Sequence, residues 1–249
     1  LDAARLHRKS ANVLWEDIGD VEKAKQHFDS ALKLLEAEPE SVELARLYED
    51  IAHMHYRVGD VLQARSWAEK ALELAQKLNA HEVVASSFIS LGAALIFAGD
   101  WKKAVECHER ALKIALDNGY METASRAYNA LAVSLPSEQL ERSIECFEKG
   151  LESARKVGTV QLTCMIAGNL SGVYFNMGNI DKAVSLLDEM HALSRRTGNM
   201  PEFTSSIAGL GDANLVWGEW DKGEQYIKEA LSLAQKLNQH LLISFCYND

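Results

Sequence analysis

Apolar and small residues recur along this chain at helical spacing, and short polar breaks interrupt them at regular intervals. Between Val83 and Ala98 the apolar or small positions are Val84, Phe88, Leu91, Gly92 and Leu95, which fall on one helix face. Gly99-Asp100 ends that face, with Gly suited to a left-handed turn and Asp to capping the next helix. A second periodic segment follows, with Ala104, Cys107, Ala111, Leu112 and Ala115 facing inward, and Asn118-Gly119 closes it. The closing position returns as Leu78-Asn79, Val157-Gly158, Gly198-Asn199 and Leu237-Asn238. Each unit therefore predicts a helix, a short turn and a helix.

The unit repeats six times. Its turn recurs at Gly19-Asp20, Gly59-Asp60, Gly99-Asp100, Gly178-Asn179 and Gly218-Glu219, and its second helix carries a small residue at Ala24, Ala64, Ala104, Ser143, Ala183 and Gly223. The steps between these are 40, 40, 39, 40 and 40 residues. Self-similarity at this period predicts a solenoid in which each repeat packs on its neighbours. The repeats run approximately over 1–38, 39–79, 80–119, 120–158, 159–198 and 199–238, and a truncated seventh spans 239–249. We expect a single domain over 1–249, all-α, twelve helices and a partial thirteenth wound as a right-handed superhelix. Absence of an initiating Met and of a polar cap at either end predicts a segment of a larger protein.

Small residues in the first helices, at Asn12, Ala52, Gly92, Ala132, Gly172 and Gly211, predict close helix approach, filled from the second helices by Phe28, Trp67, Phe147, Leu187 and Ile227. Gly92→Leu is expected to overpack this contact, and Gly92→Ala to be tolerated because Ala52 and Ala132 hold the same slot. The fourth unit replaces its Gly-Asp turn with Leu135-Pro136-Ser137-Glu138, where Pro136 suits a helix start.

Composition narrows the function. With 47% apolar residues, three prolines and many Ala, Leu, Glu and Lys, the chain reads as all-helical. A formal charge of −10 argues against nucleic acid as the main ligand, and no run of 18 apolar residues predicts a membrane span. Four cysteines without CxxC spacing predict buried free thiols and a cytoplasmic address. His53-Met54-His55 splits its imidazoles between two helix faces, so no metal site is expected, and no phosphate loop, HExxH or GxSxG occurs. No cofactor and no catalysis are predicted.

The small residue, the Gly-Asp turn, the Ala five residues after that Gly and the pairs Ala31-Leu32, Ala71-Leu72, Ala111-Leu112 and Ala230-Leu231 resemble the tetratricopeptide repeat over essentially the whole chain. The usual period is ~34 residues. The longer unit here resembles the repeats of polarity scaffolds that bind GoLoco-type regulators, of kinesin light chain and of STAND ATPase sensor arms. That resemblance implies a scaffold that holds a peptide or helix against its first helices; a sensor or autoinhibitory arm of a STAND-type ATPase or transcription regulator is the alternative. The implied partner is a protein, a peptide or another domain of the same protein. Self-association through uncapped ends is a third expectation.

Counting from the small residue, the resemblance implies groove positions at Arg46, Glu49, His53 and Tyr56, with Arg57 alongside, then Ile89, Arg126, Asn129, Asn169 and Asn176. Asn129 and Asn169 stand 40 residues apart, and a mid-helix amide there is suited to an extended peptide backbone. Arg46, Arg57, Arg126, His53 and Tyr56 predict either a cationic, aromatic stretch for carboxylates or, with Glu43 and Glu49, a salt-bridged face. Ile89, Ile96, Phe97 and Ile166 would suit an amphipathic helix. The two-carboxylate clamp of chaperone-tail binders is not matched, because Val13, Asp50, Ser86 and Ser90 stand where it needs Asn, Asn, Lys and Arg.

Overall fold

A computed structural model describes residues 1–237 and 239–247; Asn238, read above as a helix-ending residue, lies outside these. Among the described residues the fold is all-α. The helices are α1 (Asp2–Val13), α2 (Val21–Glu36), α3 (Val42–Arg57), α4 (Val61–Lys77), α5 (His81–Phe97), α6 (Trp101–Asp117), α7 (Met121–Ser134), α8 (Leu140–Val157), α9 (Val160–Asn176), α10 (Ile180–Thr197), α11 (Met200–Val216), α12 (Trp220–Lys236) and α13 (His240–Cys246). A π turn at Leu14–Ile18 follows α1, and a 3-10 turn at Ser137–Gln139 leads into α8.

The turns work as their residues dictate. Gly59 and Gly99 sit at φ +85° and +78°, where a Cβ is strained. Asp20, Asp60, Asp100 and Asn179 then cap the next helix by accepting the backbone N–H three residues on. Glu219 keeps its place after Gly218 but makes no such cap. Pro136 precedes the 3-10 turn, in keeping with its expected place at a helix start.

The chain forms two compact units, one of residues 1–16 with 20–153, the other of 17–19 with 154–249. In the first, Phe28, Leu35, Leu47, Met54 and Phe88 anchor a continuous core across successive pairs. In the second, Ile207, Ala208, Ile227 and Ala230 form a core with Cys246 of α13. Each fully buried Leu or Phe contributes ~1.5–3 kcal/mol, so these stacks, more than helix propensity, fix the pairs.

Three findings bear on the small positions, of which the second and third are corrections. First, α8 meets α7 so closely that the Ser143 hydroxyl donates to the Ala132 carbonyl at 2.8 Å. Second, the helix opposite Gly92 presents His108, not Cys107. The imidazole is fully buried, and a Cβ on Gly92 would fall 2.3 Å from its Nε2. A methyl at Gly92 therefore cannot be placed without moving that ring, contrary to the expectation drawn from Ala52, whose repeat carries Ala68 at the place of His108. Likewise Trp67 is only partly buried and lies against Tyr48, while Ala68 takes the filler slot.

Third, the register shifts by one residue after α7. The residues preceding α5, α7, α9 and α11 are Ala80, Tyr120, Thr159 and Asn199, so the step from α7 to α9 is 39. The residue lost is the one missing from the Leu135-Pro136 turn. Ser171, buried, is thus the counterpart of Gly92, whereas a Cβ on Gly172 would meet nothing within 4 Å.

Candidate functional site

In the first unit α3 packs against α1 and α5, and α5 against α7, so the first helices of four pairs share one face. That face holds a cavity of about 210 Å³. Arg8 lines it from α1; Arg46, Glu49 and Asp50 from α3; Glu82, Val83 and Ser86 from α5; Glu122, Thr123 and Arg126 from α7. Beside Glu82 and Val83, α5 contributes short side chains here, Ser86 at the cavity wall and Ser90 next to Glu49. Over this low ridge Arg126 reaches from α7 to α3, where its Nη2 donates to Glu49 Oε1 at 3.4 Å. Ser90 Oγ donates to the same oxygen at 3.0 Å.

Each arginine in the cavity already has a carboxylate. Arg8 donates from Nε to Glu43 at 2.7 Å and from Nη1 to Asp50 at 2.6 Å, and Asn12 donates to Asp50 at 2.9 Å. Arg46 pairs with Glu82 at 2.6 Å, not with Glu49 or Glu43. The pairs run between first helices, from α1 to α3 and α3 to α5 between neighbours and from α7 to α3 across the intervening α5.

Burial works against charge at every one of these groups, and the outcome differs by partner. Desolvation is the largest influence on Glu43, yet Arg8 and Arg5 outweigh it and hold its pKa below the usual value. At Glu49 desolvation wins over Arg126 and Ser90, and its pKa is raised. Arg8 and Arg126 are desolvated too, but their carboxylate neighbours keep both pKa values above the ordinary arginine value. His53 is pushed well below the usual value by burial, then by Arg126 and Arg57, and is neutral at pH 7.

The other expected site residues are placed as follows. His53 meets Trp15 edge-on at 5.1 Å between ring centroids, and Tyr56 meets Phe97 edge-on at 5.8 Å. Arg57 is exposed at the end of α3. Ile89 is buried in the core, and Ile166 fully so, which removes both as docking residues for an amphipathic helix; Phe97 stays exposed. Asn129 is nearly buried in α7 and Asn169 exposed in α9, and the 39-residue step pairs Asn129 with Gly168 instead. Asn176 is exposed at the end of α9.

The sequence reading missed Arg8, Asp50, Glu82, Glu122 and Thr123 at the cavity. Arg8 turns to the acids of α3, whereas the apolar Leu6 and Val13 of α1 are solvent-exposed. An Arg facing acids at two positions of the next repeat, Glu43 and Asp50, was the signal available.

Family models described as tetratricopeptide repeat match residues 2–77 and 43–117, and residues 163–197, more than half of the chain together. The chain belongs to the tetratricopeptide-repeat family. A curated relative, the response regulator aspartate phosphatase J of Bacillus subtilis, is 30% identical over 135 residues, 53% of this chain and 35% of its own. The chain spans about a third of the length of the curated relatives it matches.

Among solved structures, the Rap conjugation gene regulator of the plasmid pLS20 in complex with the Phr* peptide aligns at TM-score 0.69 and 16% identity, covering 99% of this chain and 71% of that one. A STAND protein with a tetratricopeptide repeat sensor from Pyrococcus horikoshii aligns at TM-score 0.61 and 17% identity, over 94% of this chain and 36% of that one. The repeats of a Podospora anserina putative kinesin light chain align at TM-score 0.57 and 19% identity, over 78% and 97%. At these identities the likeness is one of fold. No helix among the described residues is long and apolar enough to cross a membrane.

Proposed function

We propose that this protein is a non-catalytic interaction module of the cytoplasm that holds a peptide segment of a partner against its first helices. The observation that carries the reading is the shared face of α1, α3, α5 and α7, which is concave at the cavity and lined there mostly by charged and polar side chains. Residues there offer hydrogen-bond donors and acceptors of both signs, the equipment for a peptide backbone and its charged groups. A structure of the same fold is a complex with the Phr* peptide, which supports the same use here. Asn129, Asn169 and Asn176 are proposed as further contacts, each within its own unit.

The test is to pan a random dodecapeptide library on the purified protein and map a selected peptide by hydrogen exchange. Added protection is expected in α3, α5 and α7. Protection confined to the outward helices α2, α4 and α6 would overturn the reading. The second reading, a sensor arm of a STAND-type ATPase or transcription regulator, is supported by the fold shared with the Pyrococcus horikoshii protein. A P-loop or DNA-binding domain in the same gene product would favour it.

A further inference from the structure

The cavity in the first unit carries more acid than base. Arg8, Arg46 and Arg126 line it against Glu49, Asp50, Glu82 and Glu122. Three of those carboxylates hold the three guanidiniums, and Arg8 has Glu43 as well. No cation is left over for an incoming anion, so a ligand carboxylate would face a net negative wall.

Glu49 adds an independent sign. It is 5% exposed and lines the cavity, yet both hydrogen bonds it accepts fall on Oε1; none reaches Oε2 among the described residues. Buried carboxylates normally have both oxygens satisfied. The Arg126 contact, at 3.4 Å, is also long for a charge-assisted bond, which is usually ~2.7–2.9 Å. Oε2 is not sealed in the interior but open to the cavity, where it can accept from a donor that enters.

We propose that this cavity receives one cationic group, a lysine, an arginine or an N-terminal ammonium of the bound peptide, which donates to Glu49 Oε2 and is compensated by Asp50, Glu82 and Glu122. The volume suits this. About 210 Å³ is below the ~300–1,000 Å³ of pockets that enclose drug-sized ligands and fits a single long side chain. The hydroxyls of Ser86 and Thr123 supply acceptors for the remaining N–H groups. This inference rests on the peptide-binding reading above, and the same peptide pool tests the two separately.

Peptides selected on the wild-type protein are expected to carry Lys or Arg, or a free N-terminal amine, at one fixed position. Replacing that Lys by norleucine should weaken binding by about tenfold or more. Glu49→Gln keeps an acceptor for Ser90 and Arg126 while removing the charge, so it should bind the Lys and norleucine peptides within about twofold of each other. Should Glu49→Gln fail to fold by circular dichroism, Glu122→Gln at the exposed rim replaces it, with a smaller loss for the Lys peptide alone.

Spermidine serves as the probe for a free cation. A rise in melting temperature with spermidine, abolished in Glu49→Gln, supports the same chemistry from a small molecule. Peptides enriched without any basic position, or a Lys preference unchanged in both variants, would overturn this inference and leave peptide binding standing. Enrichment of no peptide, with no response to spermidine, would overturn both.

Discussion

One methyl group added at Gly92 should destabilise the first unit, although Gly→Ala in mid-helix ordinarily stabilises by ~1 kcal/mol. The new Cβ would lie 2.3 Å from His108 Nε2 and 2.6 Å from Cδ2, distances that only a movement of the ring can relieve. That ring is not free to swing. Nε2 sits 3.3 Å from the Ile89 carbonyl and Nδ1 3.0 Å from Ser134 Oγ, all of it buried. Overpacking of this kind costs ~1–3 kcal/mol, and stranding a buried polar group a further ~1–3 kcal/mol. Set against the helix gain, the net loss is roughly 1–5 kcal/mol.

His108→Ala alone removes the ring and leaves a cavity, also destabilising by roughly 2–4 kcal/mol. Gly92→Ala combined with His108→Ala recreates the Ala52 and Ala68 pairing of the preceding repeat. It should therefore be less harmful than the sum of the two single changes, by about 1–3 kcal/mol in the double-mutant cycle. Urea denaturation of the four proteins measures this. Gly92→Ala melting at or above the wild type, or strict additivity in the cycle, would refute the assignment of His108 as the group that demands glycine.

Three further outcomes follow from the same geometry. Burial lowers the His108 pKa from the ordinary 6.5 to about 4, so the unfolded chain takes up a proton first as pH falls. The stability present above pH 6.5 should then decline towards pH 4 by about 3 kcal/mol, and His108→Leu should flatten that share of the slope in urea midpoints measured against pH. Arg126→Met leaves Glu49 buried without its cation. A loss of roughly 2–4 kcal/mol by chemical denaturation is expected, with much of it restored by adding Glu49→Gln. Asn129→Ala should weaken a selected peptide by about 0.5–1.5 kcal/mol in titration calorimetry with little change in melting temperature; an unchanged affinity would move the peptide off α7.

The repeat was legible because every pair reuses the same local chemistry: the Gly at positive φ, the Asp or Asn cap and the small residue at the crossing. The site was not, because its bonds join side chains 35 to 77 residues apart, such as Arg8 with Glu43 and Arg126 with Glu49. No local pattern announces which neighbour an arginine will choose. The Asn pair misled for a related reason. Asn129 and Asn169 are 40 apart in sequence, but the fourth turn is one residue short, so equal spacing no longer means equal position. His108 was hidden by its polarity: an imidazole seldom fills a slot that Phe28 and Ile227 fill elsewhere, and only its two buried partners make it acceptable there.

A stack of repeats held solely by adjacent contacts behaves as a one-dimensional chain of coupled spins, which can fray from either end one repeat at a time. The Arg126 to Glu49 bond breaks that rule, since it joins α7 to α3 across the intervening α5. It introduces a second-neighbour coupling, and α5 cannot open without stretching a bond to which it contributes only Ser90. Opening events within the first unit are thereby correlated over three consecutive pairs. Native-state hydrogen exchange should show α3, α5 and α7 opening as one block, and that block should divide into separately exchanging pairs when Arg126 is removed.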